Sequence, residues 1–179
     1  ANGDTRIDLE ITSNRGDCVS MIGLARELCA ATGRSLQIPE LNLSTNSEVS
    51  ASDVTSIDND VMDVCPYYSA RIIRGVKVGE SPEWLCELLE SVGLRSVNNV
   101  VDVTNYILYE MGQPLHTFDL DKLQEKRIVI RKAVSGEKMT AIDGTKLTLD
   151  SSMMVIADAK VPVAIAGVMG GLDTEVGSD

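Results

Sequence analysis

The amino-acid pattern predicts an α+β domain with a mixed or antiparallel sheet and a few packing helices. Apolar residues recur at helical spacing early in the chain, whereas short β-branched runs separated by turn residues fill its last third. Because no regular strand–helix–strand alternation connects the two regions, a parallel α/β sheet is disfavoured. With 44% hydrophobic but only 3% aromatic residues, the 179-residue chain has to fill its core with aliphatic side chains.

The N-terminal part of the chain predicts a strand, a helix and then a loose connection. Arg6–Ile11 alternates polar and apolar side chains, as a half-buried strand does. Asp17 is suited to cap a helix over Cys18–Thr32, and Gly33 is suited to end it. The stretch that follows is rich in Ser, Thr, Asn and Asp, which is typical of a linker or loop with room for a short strand. The composition thus divides the chain into a βα unit over residues 1–40, a polar linker or loop over 41–64, and the main part of the domain over 65–179.

A strand and a helix are predicted next. β-branched residues indicate a strand over Tyr67–Val78. Ser81 is a suitable helix cap because Pro82 and Glu83 follow it in the first turn. Apolar residues at helical spacing continue from there, and Gly93 is expected to end this helix.

A further helix is predicted over Asn99–Met111. Its apolar residues recur at the spacing of one buried stripe, which consists of Val100, Val103, Ile107 and Met111. The opposite, polar side is expected to hold Asp102, Asn105 and Tyr109, with Thr104 near the edge of the stripe. Gly112 and Pro114 then break the helix, so that His116 is presented from a loop.

The last third of the chain predicts short strands. Ile128–Arg131 is one of them, and Lys138–Ile142 and Thr145–Leu149 form a hairpin around the turn residues Asp143 and Gly144. Two more strands are expected over Met153–Ala157 and Pro162–Ala166. This run of strands is the main reason for predicting that the sheet is largely antiparallel.

Charge and cysteine content narrow the classes of function. The net charge of −11 argues against a self-sufficient nucleic-acid binder, because phosphate neutralisation needs clustered Lys and Arg. The four cysteines form no Cys-x-x-Cys pair, and the single histidine cannot complete a zinc site, so no metal site is expected. No apolar run is long enough for a membrane span, and a cytoplasmic protein with reduced thiols is expected.

Two features could carry chemistry. His116 is the only side chain with an unperturbed pKa near neutrality, so it could hold or deprotonate a water molecule. A structural hydrogen-bonding histidine is the alternative. Glycines at Gly167, Gly170 and Gly171 would let a substrate approach the backbone, where free N–H groups stabilise an oxyanion. Tight sheet packing explains such glycines equally well.

Three stretches of the sequence carry distinctive motifs. The first is Ile7–Cys18 (IDLEITSNRGDC) with the helix after it. The second joins Asn98–Tyr106 (NNVVDVTNY) to Gly112–Asp119 (GQPLHTFD), and the third is Leu147–Gly171, which ends in AGVMGG. In order and spacing, and over essentially the whole chain, these stretches resemble the editing domain of bacterial phenylalanyl-tRNA synthetase beta subunits.

The resemblance implies the family's editing-domain fold and hydrolysis of tyrosine wrongly attached to phenylalanine tRNA. It implies that His116 is catalytic, by positioning or activating water. Thr104 and Asn105 would contact the ester or the terminal adenosine at the tRNA 3′ end. Gly170 would lie on the pocket wall, where a large side chain would block entry, and Gly167 and Gly171 would also bind the substrate. For the parent enzyme it implies ATP, magnesium and an alpha subunit in an α2β2 complex, whereas no cofactor is expected for this chain.

One departure from the family pattern bears on the activity. In the family, a strand carrying an editing-pocket glutamate follows the segment that matches Gly170 and Gly171, whereas this sequence ends at Asp179. Glu175 lies earlier and does not match that glutamate. The chain is therefore expected to be C-terminally truncated and inactive by itself. A non-catalytic module that binds a tRNA end, an amino acid or a protein is the alternative function.

Overall fold

The computed structural model describes Thr5 and residues 7–45 and 48–177. Contacts divide the chain into two compact units, each built from two separate stretches of sequence. The helical unit combines residues 1–43 with 78–116, and the sheet unit combines 44–77 with 117–179. The predicted division into 1–40, 41–64 and 65–179 followed sequence order and did not foresee that the chain passes between the units three times.

The helical unit contains helices α1 (Met21–Thr32), α2 (Glu83–Ser91) and α3 (Asn99–Met111). α1 begins later than predicted, because residues 16–18 form a separate 3₁₀ turn and Ser20, not Asp17, accepts the capping hydrogen bond from Gly23 N. The turn packs so closely on α1 that a Cβ at Gly23 would lie 1.7 Å from the Asp17 carbonyl oxygen. Gly33 ends α1 with a φ of 69°, as predicted.

α2 packs against α3 through apolar and aromatic side chains. Leu85 and Leu89 of α2 are fully buried. The Trp84 ring meets the Tyr106 ring edge-on, with 5.9 Å between centroids and an interplanar angle of 88°. Such a T-shaped pair stabilises the packing beyond the area it buries.

The sheet unit contains a five-stranded mixed sheet and a separate hairpin. The strands are β1 (Ser56–Asn59), β2 (Arg127–Lys132), β3 (Lys138–Thr140), β4 (Lys146–Thr148), β5 (Met154–Ala157), β6 (Pro162–Ile165) and β7 (Met169–Gly170). Their order in the sheet is β1-β2-β5-β6-β7, and β3 pairs with β4. Only β1 and β2 are parallel among these pairs. The prediction of an α+β fold with a mixed sheet is confirmed.

Aliphatic side chains form the core of the sheet unit, as the composition predicted. One cluster consists of Val61, Leu123, Ile128, Ile130 and Val163, and another of Ala133, Met139, Leu149 and Val155. Val155 and its neighbour Ile156 contact different clusters, so β5 contributes apolar residues from both of its faces.

Two predicted strands are wrong. Within Arg6–Ile11, Arg6 lies outside the described residues, and residues 7–11 are irregular, with Ile7 72% exposed. Tyr67–Val78 is also irregular, and its Ile73 is 73% exposed. Alternation and β-branching make a segment suited to a sheet, but a strand also needs a neighbouring strand to complete its hydrogen bonds. Among the helices in the described ranges, none has the length and apolar character needed to cross a bilayer.

Candidate functional site

Helix α3 carries two of the predicted site residues on adjacent positions. The Asn98 side chain caps the helix by accepting hydrogen bonds from the amides of Val100 (3.0 Å) and Val101 (2.9 Å). Thr104 and Asn105 are both half-buried. The Thr104 hydroxyl donates to the Val101 carbonyl at 2.7 Å, so its oxygen is left to accept a hydrogen bond from a ligand.

Asp102 is buried and holds this helix in place, so the prediction that it lies on the polar side of α3 is wrong. Its exposure is 0%, whereas Val103 and Met111 of the predicted buried stripe are 49% and 47% exposed. One carboxylate oxygen accepts hydrogen bonds from the hydroxyls of Ser81 and Ser96, both at 2.5 Å. The other accepts from Val97 N at 2.9 Å. The carboxylate thus ties α3 to the start of α2 and to the connection between the two helices.

The charge of Asp102 is stabilised where it lies. Burial alone would raise the pKa of this carboxyl, but the hydrogen bonds from Ser81, Ser96 and Val97 outweigh the burial and lower the pKa. Ser81 does not cap α2 as predicted, because the N-cap position is Pro82 and Ser81 lies one residue before it, where its hydroxyl donates to Asp102. Asp102 is therefore ionised at neutral pH and holds the helix start in place.

The loop after α3 leads to His116. Gly112 ends the helix with a φ of 74°, and a Cβ there would lie 3.3 Å from Ser20 Cβ at the start of α1. His116 occupies an exposed position, yet partial desolvation of its ring lowers its pKa. A larger share of the imidazole is therefore neutral near pH 7 and able to accept a proton from water.

The three predicted glycines lie in the sheet unit, whereas Thr104, Asn105 and His116 lie in the helical unit. Gly167 has a φ of 72° in the turn between β6 and β7, where the Val168 amide donates to the Ile165 carbonyl. Gly171 donates its N–H to the Val163 carbonyl at 2.7 Å, and a Cβ at Gly171 would lie 2.7 Å from that same oxygen. Turn conformation and strand packing thus account for these two glycines, and the Gly171 amide is not a free donor.

Gly170 occupies the last position of β7. It pairs with Ala164 of β6, and its carbonyl accepts a hydrogen bond from Ile142 N at 3.0 Å. The Gly170 backbone therefore contacts β6 through Ala164 and the segment after β3 through Ile142.

The sheet unit also has a cleft that the sequence did not reveal. A cavity of about 130 Å³ adjoins an open cleft of about 350 Å³. The polar residues around them are Lys122, Gln124, Lys138, Thr140, Lys146, Thr148, Asp158, Asp173 and Thr174. They come from five separate stretches of chain, so no spacing in the sequence points to them.

Comparison with known proteins identifies the family. The family model described as "B3/4 domain" matches residues 64–179, which is more than half of the chain. The chain belongs to the B3/4 domain family. The matched range includes α2, α3, His116 and all strands except β1.

Curated relatives extend the similarity over nearly the whole chain. A phenylalanine–tRNA ligase beta subunit of Rhodopirellula baltica is 50% identical over 98% of this chain and 26% of its own length. The beta subunits of Syntrophus aciditrophicus and Syntrophotalea carbinolica are 50% and 52% identical, over 22% and 21% of their lengths. The chain therefore spans a fifth to a quarter of the length of these relatives.

Among the residues that the structure describes outside the B3/4 match, one group of side chains has metal-ligand chemistry. Ligand atoms of Asp17, Cys18 and Glu27 lie within 4.8 Å of one another. The Arg15 guanidinium, however, pairs with Asp17 at 2.8 Å and with Glu27 at 2.6 Å, and it lowers the pKa of Asp17 to about 2. Arg15 thus already supplies the positive charge that these carboxylates attract.

Proposed function

We propose that this chain is the editing part of a phenylalanine–tRNA ligase beta subunit and that, within the complete ligase, it hydrolyses tyrosine wrongly attached to phenylalanine tRNA. The observation that carries the proposal is the sequence identity of 50% to a ligase beta subunit over 98% of the chain. The geometry supports it, because Thr104, Asn105 and a His116 with a lowered pKa belong to one compact unit.

The neutral His116 imidazole holds a water molecule and accepts its proton as the water oxygen attacks the ester carbonyl. The resulting tetrahedral intermediate expels the ribose oxygen, which takes up a proton, and the products are free tyrosine and uncharged tRNA. Thr104 and Asn105 hold the ester or the terminal adenosine.

Editing is needed because an apolar synthetic pocket rejects an analogue that merely adds a hydroxyl only weakly. A second site that hydrogen-bonds the tyrosine hydroxyl removes the error, since phenylalanine cannot offer that group. The net charge of −11 fits a unit to which the tRNA is delivered by other parts of the ligase. Under this proposal the alpha subunit, ATP and magnesium serve the synthetic reaction of an α2β2 complex in the cytoplasm.

The test is His116→Ala in a complete ligase that carries this chain. Release of tyrosine from mischarged tRNA should fall about a hundredfold or more, as loss of a general base predicts, while charging with phenylalanine stays unchanged. Gln113→Ala is the matched control, because Gln113 is an exposed residue of the same loop. Deacylation that survives His116→Ala would remove His116 from the catalytic role, and absence of deacylation in the unmodified ligase would favour a non-catalytic binding module. Equal loss of both activities would indicate a folding defect instead of an editing role.

A further inference from the structure

One face of the β3–β4 hairpin presents two lysines and two threonines to the same cleft. Lys138 pairs with Thr148, and Thr140 pairs with Lys146. Because alternate residues of a strand share a face, these four side chains lie together, while Met139 and Leu147 of the other face pack on a core cluster and also line part of the cleft. All four side chains line the open cleft of about 350 Å³.

Thr174, which lines the adjoining cavity, has a buried polar atom without a partner. Its exposure is 4%, and within the described part of the chain its Oγ1 has no hydrogen-bond partner. Thr174 lines the cavity of about 130 Å³ together with Lys122, and this cavity shares Thr140 and Asp173 with the open cleft. A hydroxyl buried without a partner is unfavourable, so a ligand that accepts a hydrogen bond from it would be stabilised there.

The charges around the cleft favour an anion, although the whole chain is acidic. The Asp158 carboxylate is already engaged by the backbone amides of Gln124, Lys160 and Val161. Lys122 donates to the Glu175 carbonyl at 2.8 Å and lies 3.9 Å from Asp119. Of the ion pairs found in the ranges that the structure describes, none involves the two hairpin lysines. Asp173 is therefore the remaining carboxylate that opposes them at the cleft.

We propose that this cleft binds a phosphate group, with the hairpin lysines as its cations and the hydroxyls of Thr140, Thr148 and Thr174 as additional donors. Ammonium groups and hydroxyls are donors that phosphate oxygens accept. The phosphate belongs either to an RNA backbone or to a small phosphate ester. This site lies within the sheet unit and does not depend on the proposed hydrolysis.

The experiment measures binding of inorganic phosphate and of a short single-stranded RNA to the chain by calorimetry and NMR titration. The double variant Lys138→Ala/Lys146→Ala should weaken binding by about tenfold or more, because charge-assisted hydrogen bonds are lost. Lys132→Ala is the control for the loss of a lysine charge, since it removes one such charge from an exposed position of the sheet unit outside the cleft. Binding by that control should stay close to that of the unmodified chain.

A second variant separates binding from folding. Thr174→Val replaces the unpartnered hydroxyl with a methyl group, so the free protein should be as stable or more stable while phosphate binding weakens. Binding of both probes, with amide shifts in β3 and β4, supports a general phosphate site, and binding of RNA alone supports a backbone contact. No binding of either probe, or equal loss in the double variant and Lys132→Ala, would overturn the proposal.

Discussion

Replacement of Asp102 separates the role of its charge from the role of its hydrogen bonds. In Asp102→Ala, the hydroxyls of Ser81 and Ser96 and the amide of Val97 all lose their acceptor. A donor left without its partner costs about 1–3 kcal/mol. Because Ser81, Ser96 and Val97 are not fully buried, water can reach them in part, and the low end of that range applies to each. We therefore expect a loss of about 3–5 kcal/mol, which is typical when one partner of a buried charged network is removed.

Asp102→Asn should be much milder. The amide oxygen can keep the bond to Val97 N, and the two amide protons can be donated to the hydroxyl oxygens of Ser81 and Ser96, which reverse their direction. What is lost is the additional strength of bonds to an ionised acceptor, about 1–2 kcal/mol.

The assay is urea unfolding followed by the fluorescence of Trp84, the single tryptophan, which lies on α2 of the helical unit. Equal destabilisation by Asn and Ala, or a loss below about 1 kcal/mol for Ala, would refute this account of the network. A pH series adds an independent check. Since the folded pKa of Asp102 is lowered, its stabilisation is present above the ordinary value of 3.8 and is lost as the pH falls through the folded value. The unmodified chain should therefore lose more stability than Asp102→Asn on acidification below pH 3.8.

The remaining predictions concern the candidate site and the sheet. Because desolvation lowers the pKa of His116, kcat/KM for tyrosine release should fall on the acid side with a midpoint below the ordinary value of 6.5, and a midpoint above 6.5 would contradict the burial effect. Gly171→Ala should destabilise the sheet unit by about 1–3 kcal/mol in thermal unfolding, because its Cβ would meet the Val163 carbonyl at 2.7 Å. Gly16→Ala, where a Cβ meets nothing within 4 Å, is the control and should change the melting temperature little.

Local signals in the sequence predicted several elements well. The bounds of α3, Asn99–Met111, follow from the capping amide of Asn98 and from Gly112, whose φ of 74° few other residues adopt easily. Strands β2, β5 and β6 lie within two residues of their predicted bounds, because each is a run of apolar, often β-branched residues with turn residues on either side. The motifs that resemble the editing domain also lie in the sequence itself, and the relatives confirm the likeness to ligase beta subunits. The roles of Thr104, Asn105 and His116 stay predictions until deacylation is measured.

The tertiary structure decided the features that depend on distant partners. Alternation over Ile7–Ile11 was insufficient for a strand without a neighbour, whereas β1 forms inside a polar stretch because β2 pairs with it in parallel. Helical periodicity placed Asp102 on the polar side, yet three donors from outside α3 make its full burial favourable. The sequence by itself determined where the chain turns, caps and alternates, since those preferences act within a few residues. Only folding decided which polar groups meet, because a buried charge or an open cleft is defined by residues that are far apart in the chain.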